Sequence, residues 1–304
     1  MKVGYVGLGN MGGFVAGHIL KRGHDLAVCD LRPEKVDALK RLGAKAASSV
    51  VELAEACDLV LICVESLAAV ETVLFGPAGV AAARRRPQLV VDNSTIPPGS
   101  ARAFAARLGE MGIGYVDAPF SGGVTGARDG TLAVMAGGAT EHFEVARPVL
   151  ECFSGRINYM GPAGSGQAAK ACNQVIDFAT VACIGEAIAF GRAFGIDVDR
   201  LPAVVEGGLA DSALMREYAR EKREGAGPST ALIEGIAELL EGTPELKHSP
   251  AFKICLKDLD IVIETARDYN VAVPVTGLAC SLIRMLETRS SRSKEMTHAR
   301  RNNT

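Results

Sequence analysis

Two side chains in this sequence stand where chemistry rather than solubility would put them. Lys170 lies among Ala168, Ala169, Ala171 and Cys172, surroundings that suit a charged group only when it is paired or used. Burial weakens a lysine's hold on its proton, which brings it toward the range of general acid–base work. Asn173 is three residues on and would share its face of a helix, so the two can hold one hydroxyl oxygen between them. The plainer account of Lys170 is a side chain whose stem packs while its head reaches water.

Two glycine-rich segments point to ligands. Gly7-x-Gly9-x-x-Gly12 follows the β-type run Lys2–Val6 and opens a helical pattern over Asn10–Arg22. The first glycine permits a tight turn, the second lets backbone amides approach a pyrophosphate, and the third lets the helix pack on the strand. A second strand pattern ends at Asp30, at about the 20-residue spacing where a carboxylate meets the adenosine ribose and repels a 2′-phosphate. That favours NAD. Arg32 keeps NADP open, because a guanidinium binds phosphate. The plainer account is that the glycines only shape a strand-to-helix turn. Ser121-Gly122-Gly123 follows the run Ile113–Val116, so a hydroxyl and unshielded amides stand at a strand's C-terminal end, where open α/β sheets bind ligands. They suit a carboxylate, although the segment alone also fits a glycine turn.

The remaining sequence must supply the elements that hold these groups. Strand and helix patterns alternate over Lys2–Val6, Asn10–Arg22, Asp25–Cys29, Glu34–Leu42, Val50–Ala56, Leu59–Val64 and Leu89–Asp92, which predicts βαβ crossovers and a parallel sheet. Ser49 and Glu52 form a capping-box pattern at the start of one helix. The loop Gly161–Gly166 ends this regime, and helical spacing without strands follows. The fold class is therefore α/β: a Rossmann-type doubly wound sheet over 1–163, an all-helical substrate and dimerisation domain over 164–288, and a disordered tail over 289–304. Small residues Gly185, Ala189 and Gly191 in the helix Gln167–Phe194 would allow a second copy to approach closely.

Bulk properties limit the alternatives. The chain has 304 residues, 33 basic against 35 acidic, and 48% hydrophobic. It offers no charge field for nucleic acid, no apolar run as long as the roughly 20 residues of a membrane span and no secretory leader pattern, so a cytoplasmic protein is expected. The eight cysteines form no C-x-x-C pair and are expected to be buried thiols; the five histidines give no metal motif.

The segments Val6-Gly7-Leu8-Gly9-Asn10-Met11-Gly12, Asp117-Ala118-Pro119-Phe120-Ser121-Gly122-Gly123 and Gly164-Ser165-Gly166-Gln167-Ala168-Ala169-Lys170-Ala171-Cys172-Asn173-Gln174 together resemble the β-hydroxyacid dehydrogenases. That group holds 3-hydroxyisobutyrate, tartronate-semialdehyde and 6-phosphogluconate dehydrogenases. The resemblance runs from Met1 to about Glu287 and includes Asp92-Asn93-Ser94-Thr95 and Lys257-Asp258-Leu259. Phe120 departs from the usual valine, which leaves the shape of the acid pocket in question.

The resemblance implies an enzyme that oxidises a small 3-hydroxy acid with NAD or NADP. Lys170 would take the hydroxyl proton, Asn173 would orient the oxygen, and Ser121, Gly122 and Gly123 would bind the carboxylate. Gly7, Leu8, Gly9, Asn10, Met11, Gly12, Asp30, Leu31, Arg32, Cys63, Val64 and Thr95 would line the cofactor, with Lys257 closing over it. Lys257 alone suits a solvated helix face equally well, and Arg128 and Arg216 suit ordinary surface positions. Neither Asp117 nor Asp129 is assigned proton transfer. A homodimer or homotetramer is implied, with no metal. An imine reductase and a non-catalytic nucleotide-binding protein are the competing readings; a lysine at position 170 argues against both.

Overall fold

The computed structural model describes residues 1–225, 227–243 and 246–302. Two compact units account for them, Met1–Cys172 and Asn173–Thr304.

The first unit begins with β1 (Lys2–Val6), α1 (Gly12–Lys21), β2 (Asp25–Cys29), α2 (Pro33–Lys40), β3 (Lys45–Ala46), α3 (Val50–Ala56), β4 (Leu59–Ile62), α4 (Leu67–Phe75), β5 (Leu89–Asp92), α5 (Pro98–Gly109) and β6 (Gly114–Asp117). These strands lie in the order β3-β2-β1-β4-β5-β6, all parallel. Apolar side chains on both faces of a strand demand helices on both sides of the sheet. Val3, Tyr5, Leu59, Leu61, Leu89 and Val91 pack with α1 residues Val15 and Ile19 on one side. Val60, Ile62 and Val90 pack with Leu53 of α3 and Phe104 of α5 on the other. Ser49 caps α3 by accepting from the Glu52 amide at 3.3 Å, and Glu52 reaches back one residue further than the capping-box pattern, to the Ser48 amide.

The sheet then becomes mixed, which the sequence reading had not foreseen. After β6 come β7 (Phe120–Ser121), α6 (Gly123–Asp129), β8 (Leu132–Gly138), α7 (Thr140–Leu150) and β9 (Ser154–Gly161). β8 runs antiparallel to both β6 and β7, and β9 pairs parallel to β8. The two-residue strand β7 carries too little alternation to be legible alone.

Helix α8 (Ser165–Ala193) leaves the first unit and enters the second, followed by α9 (Leu201–Val205), α10 (Ala213–Glu224), α11 (Pro228–Leu240), α12 (Ala251–Asp268) and α13 (Pro274–Asn302). By length and composition α8 is apolar enough to cross a membrane, a test that a core helix also passes. Within the second unit its residues Phe178, Val181, Ile184 and Ile188 are buried with Ile233 and Ile236 of α11, Phe252 and Leu259 of α12 and Ile283 of α13.

Three expectations change. The segment 289–304, expected as a disordered tail, is helical through Asn302; at its start Ser290 is buried and its hydroxyl donates to the Glu287 carbonyl at 3.0 Å. The last two residues of that segment lie outside those described. Cys172 and Cys183 are exposed, not buried. Gly185 and Gly191 serve the chain's own packing: a Cβ on Gly185 would lie 2.7 Å from Ile236, and one on Gly191 would lie 2.9 Å from Val198.

Candidate functional site

The turn after β1 is built around two glycines. Gly7 has a φ of +93°, and a Cβ there would lie 2.2 Å from the Cys63 carbonyl oxygen. At Gly12 a Cβ would lie 2.0 Å from the Gly7 carbonyl oxygen and 3.1 Å from the Tyr5 ring, so α1 packs on β1 at a distance that only glycine allows. A Cβ on Gly9 would meet nothing nearer than Arg32 Nη2 at 3.8 Å. The loop is thus closed against the protein at its ends and open in its middle, which fits a pyrophosphate approaching backbone amides.

Asp30 stands beside this loop. Its Oδ2 accepts from the Leu8 amide at 2.6 Å, while Oδ1 accepts from the Arg32 amide at 2.8 Å and from Arg32 Nε at 3.2 Å. Burial works to raise the Asp30 carboxyl, but the two amides and the guanidinium outweigh it and hold the group below its ordinary value. Asp30 and Arg32, which the sequence set against each other, are an ion pair. Leu31 between them is fully exposed.

The C-terminal ends of β4, β5 and β6 carry a polar network. Ser94 Oγ accepts from the Val64 amide at 3.0 Å, and the Ser94 amide donates to Asp92 Oδ1 at 2.9 Å. Asn93 Nδ2 donates to the Ala118 carbonyl at 2.7 Å. Tyr115 donates to Asp92 Oδ2 at 3.0 Å. The expected cofactor residues Cys63, Val64 and Thr95 therefore stand at strand ends beside the buried polar residues Asp92, Asn93 and Ser94, which the sequence motif included without individual roles. The available signal was the cluster of polar residues closing the apolar runs before 92 and 117.

Ser121, Gly122 and Gly123 link β7 to α6. Gly122 has a φ of +133° and Gly123 a φ of +60°, which turns the chain sharply and leaves both glycines exposed. From α1, His18 Nε2 lies 3.0 Å from the carbonyl oxygens of both Ala127 and Arg128, at the far end of α6. The Asp129-Gly130 turn is where α6 ends, with Gly130 left-handed.

Lys170 is on α8, 7% exposed, and belongs to the same unit as the glycine loop and Ser121. The first turn of α8 is bonded to the sheet. Gln167 Nε2 donates to the Ser94 carbonyl at 2.7 Å, and its Oε1 accepts from the Ile96 amide at 3.2 Å. Asp117 accepts from the amides of Gly164 at 2.7 Å and Gln167 at 2.8 Å. Burial pushes the Asp117 carboxyl up to about 7 despite those two amides.

Asn173 and Lys257 fall in the second unit. There Asn173 Nδ2 donates to Gln174 Oε1 at 3.3 Å, Gln174 Nε2 donates to Asp258 Oδ2 at 2.5 Å, and Lys257 Nζ pairs with Asp258 Oδ1 at 3.1 Å. Gln174 and Asp258, both buried, were quoted in sequence motifs without a role. Among the described residues no cluster of metal-ligating side chains occurs.

Known proteins resemble this chain over nearly its whole length. The family description "NAD binding domain of 6-phosphogluconate dehydrogenase" matches residues 2–161. The description "NAD-binding of NADP-dependent 3-hydroxyisobutyrate dehydrogenase" matches residues 164–301. The L-threonate dehydrogenase of Cupriavidus necator is 33% identical over 94% of this chain and 90% of its own length. A crystal structure of 3-hydroxyisobutyrate dehydrogenase from Salmonella typhimurium superposes with a TM-score of 0.76 at 29% identity, covering 94% of this chain and 93% of that one. Psf3 in complex with NADP+ and 2-OPP superposes with a TM-score of 0.79 at 26% identity, covering 95% and 99%.

Proposed function

The chain belongs to the 3-hydroxyisobutyrate dehydrogenase family of NAD(P)-dependent hydroxyacid dehydrogenases, and on that premise we propose that it oxidises a small 3-hydroxy acid reversibly, with Lys170 moving the proton. The observation that carries the proposal is Lys170 itself: a lysine 7% exposed on a helix whose first turn is bonded to Ser94 and Asp117, at the strand ends that lead to Thr95 and Ser121.

Gly7 to Gly12 with Asp30, Leu31, Arg32, Cys63, Val64 and Thr95 would hold the dinucleotide, and Lys257 would contact it. When bound, the nicotinamide supplies the two-electron acceptor for the carbinol carbon. Ser121 Oγ and the amides of Gly122 and Gly123 hold the substrate carboxylate. Lys170 takes the hydroxyl proton as the carbonyl forms and returns it in the reverse direction. Asn173, whose Nδ2 is engaged by Gln174, orients the oxygen with the rest of its amide.

NAD is the preferred cofactor in this reading, because Asp30 stays ionised beside the ribose position. The substrate class spans 3-hydroxyisobutyrate, glycerate, 3-hydroxypropionate, serine and threonate. A homodimer or homotetramer is supported by Ile176 and Phe190 of α8 and by Phe194 just after it, which are exposed large apolar side chains. A panel of these acids assayed for NADH production tests the activity. Lys170→Met should lower kcat about 100- to 10,000-fold, to a small but measurable residual rate, while NADH binding persists; turnover at the wild-type rate would refute the assignment.

A further inference from the structure

The Asp117 carboxylate is fully buried and occupies a fitted slot. A Cβ on Gly137 would lie 2.8 Å from its Oδ1, and one on Gly166 would lie 2.6 Å from its carbonyl oxygen and 2.9 Å from its Oδ2. Both oxygens are spent on amides at the start of α8, one turn before Lys170. In the other direction along the chain, Asp117 leads within four residues to Ser121. That short segment is held rigidly: the Ala118 amide donates to the Asp92 carbonyl at 2.7 Å, Asn93 Nδ2 donates to the Ala118 carbonyl at 2.7 Å, and the Met135 amide donates to the Pro119 carbonyl at 3.0 Å.

A single side chain therefore joins the segment that ends in the acid-binding loop to the helix that carries the lysine. Helix N-terminal amides need acceptors, and a water or a neighbouring hydroxyl would satisfy them. A carboxylate locked between two glycines does more, since it fixes where the helix begins to within the tolerance of a hydrogen bond. Reaction geometry is sensitive on that scale: a displacement of about 1 Å at a reacting group can cost roughly 100-fold in rate.

We propose that Asp117 is a positioning residue for the reaction, setting Lys170 in register with Ser121, Gly122 and Gly123 through the first amides of α8. It touches neither substrate nor cofactor. The proposal rests on the proton-transfer reading of Lys170, and its test separates the two.

The experiment is a double-mutant cycle on the full chain, with NAD varied up to saturation and the best substrate of the hydroxy-acid panel, using Asp117→Asn, Lys170→Ala and the double variant. Asparagine keeps the size of the side chain but turns one acceptor into a donor, leaving one amide unmatched. If Asp117 acts through Lys170, Asp117→Asn lowers kcat about 10-fold or more in the native background, raises KM for NAD less than about 2-fold, and lowers kcat less than about 2-fold when Lys170 is already alanine. An equal loss in both backgrounds overturns the proposal, because the residue then acts on the fold and not through the lysine. Unchanged kcat in Asp117→Asn overturns it too. Wild-type turnover by Lys170→Ala would remove the underlying reading as well. Should Asp117→Asn fail to fold, as judged by circular dichroism, Asp117→Ser takes its place in the cycle; failure of both assigns Asp117 to the fold alone and rejects the proposal.

Discussion

Replacing Asp30 by asparagine separates loop support from cofactor choice. A carboxylate offers about four acceptor positions, and the protein already occupies three with Leu8 N at 2.6 Å, Arg32 N at 2.8 Å and Arg32 Nε at 3.2 Å. In the proposed complex a ribose hydroxyl would take the remaining position or displace the Arg32 side chain, whose bond is the longest of the three. Asparagine retains one carbonyl oxygen, so either the Leu8 or the Arg32 amide faces an NH2 group and loses its acceptor. A part-buried amide left unmatched costs about 1–3 kcal/mol, which corresponds to roughly 5- to 150-fold in an equilibrium constant. The same substitution removes the charge that repels a 2′-phosphate. NADH affinity should fall by about that factor while NADPH affinity changes less than roughly 3-fold, the loop cost being offset by lost repulsion. Fluorescence titration of both nucleotides, with the ratio of kcat/KM for NAD and NADP, measures it. Equal losses for the two nucleotides would show that Asp30 supports the loop without choosing the cofactor.

Gly12→Ala places a methyl 2.0 Å from the Gly7 carbonyl oxygen, so α1 must move off β1; NADH affinity should drop at least about 10-fold, and a tight-binding variant by calorimetry would contradict the packing argument. Asp117 holds its proton up to about 7, whereas in the unfolded chain it ionises near about 3.9, so across that window the native state binds more protons and this residue's contribution to stability falls as pH rises. The Tm difference between wild type and Asp117→Asn should accordingly shrink from about pH 5 to about pH 8; a difference that grows would reverse the sign of the argument. If the proposed dimer covers the exposed apolar side chains Phe190 and Phe194, Phe190→Glu with Phe194→Glu should convert it to monomer in light scattering, and an unchanged oligomeric mass would place the contact elsewhere.

Several residues of the candidate site stand out in the sequence because they break local rules. A lysine in an alanine run, glycines at strand ends and an aspartate closing a second strand each contradict their surroundings; the structure shows Gly7 and Gly12 in close backbone contact and Asp30 bonded to the glycine loop. Less legible were groups whose role depends on distant partners. Gln167 and Gln174 look like ordinary polar positions on a helix until Ser94 and Asp258, 73 and 84 residues away in sequence, are seen to meet them. Asp117 reads locally as a strand-closing carboxylate, and nothing near it in sequence shows that it receives amides at the start of a helix that begins at Ser165. The mixed sheet has a related cause: it arises where β8, seven residues long, turns back antiparallel to β6, and strand direction is set by the connection and the distant partner, which no local alternation encodes. The helical continuation of α13 past position 288 was missed because polar composition was taken to mean disorder, whereas Ser290 is buried.

The tight fit of Gly185 against Ile236 and of Gly191 against Val198 matters to anyone seeking a hardier version of this enzyme. Exchanging helical glycine for alanine is a common route to thermostability, worth about 0.4–1 kcal/mol per site through the unfolded chain. At these two positions the methyl has nowhere to go, and the exchange would push helices apart. Gly17 in α1 and Gly109 in α5 have no atom within 4 Å of where a methyl would stand. Engineering effort belongs there and at Gly277 of α13, which is equally open, and should leave Gly185 and Gly191 untouched.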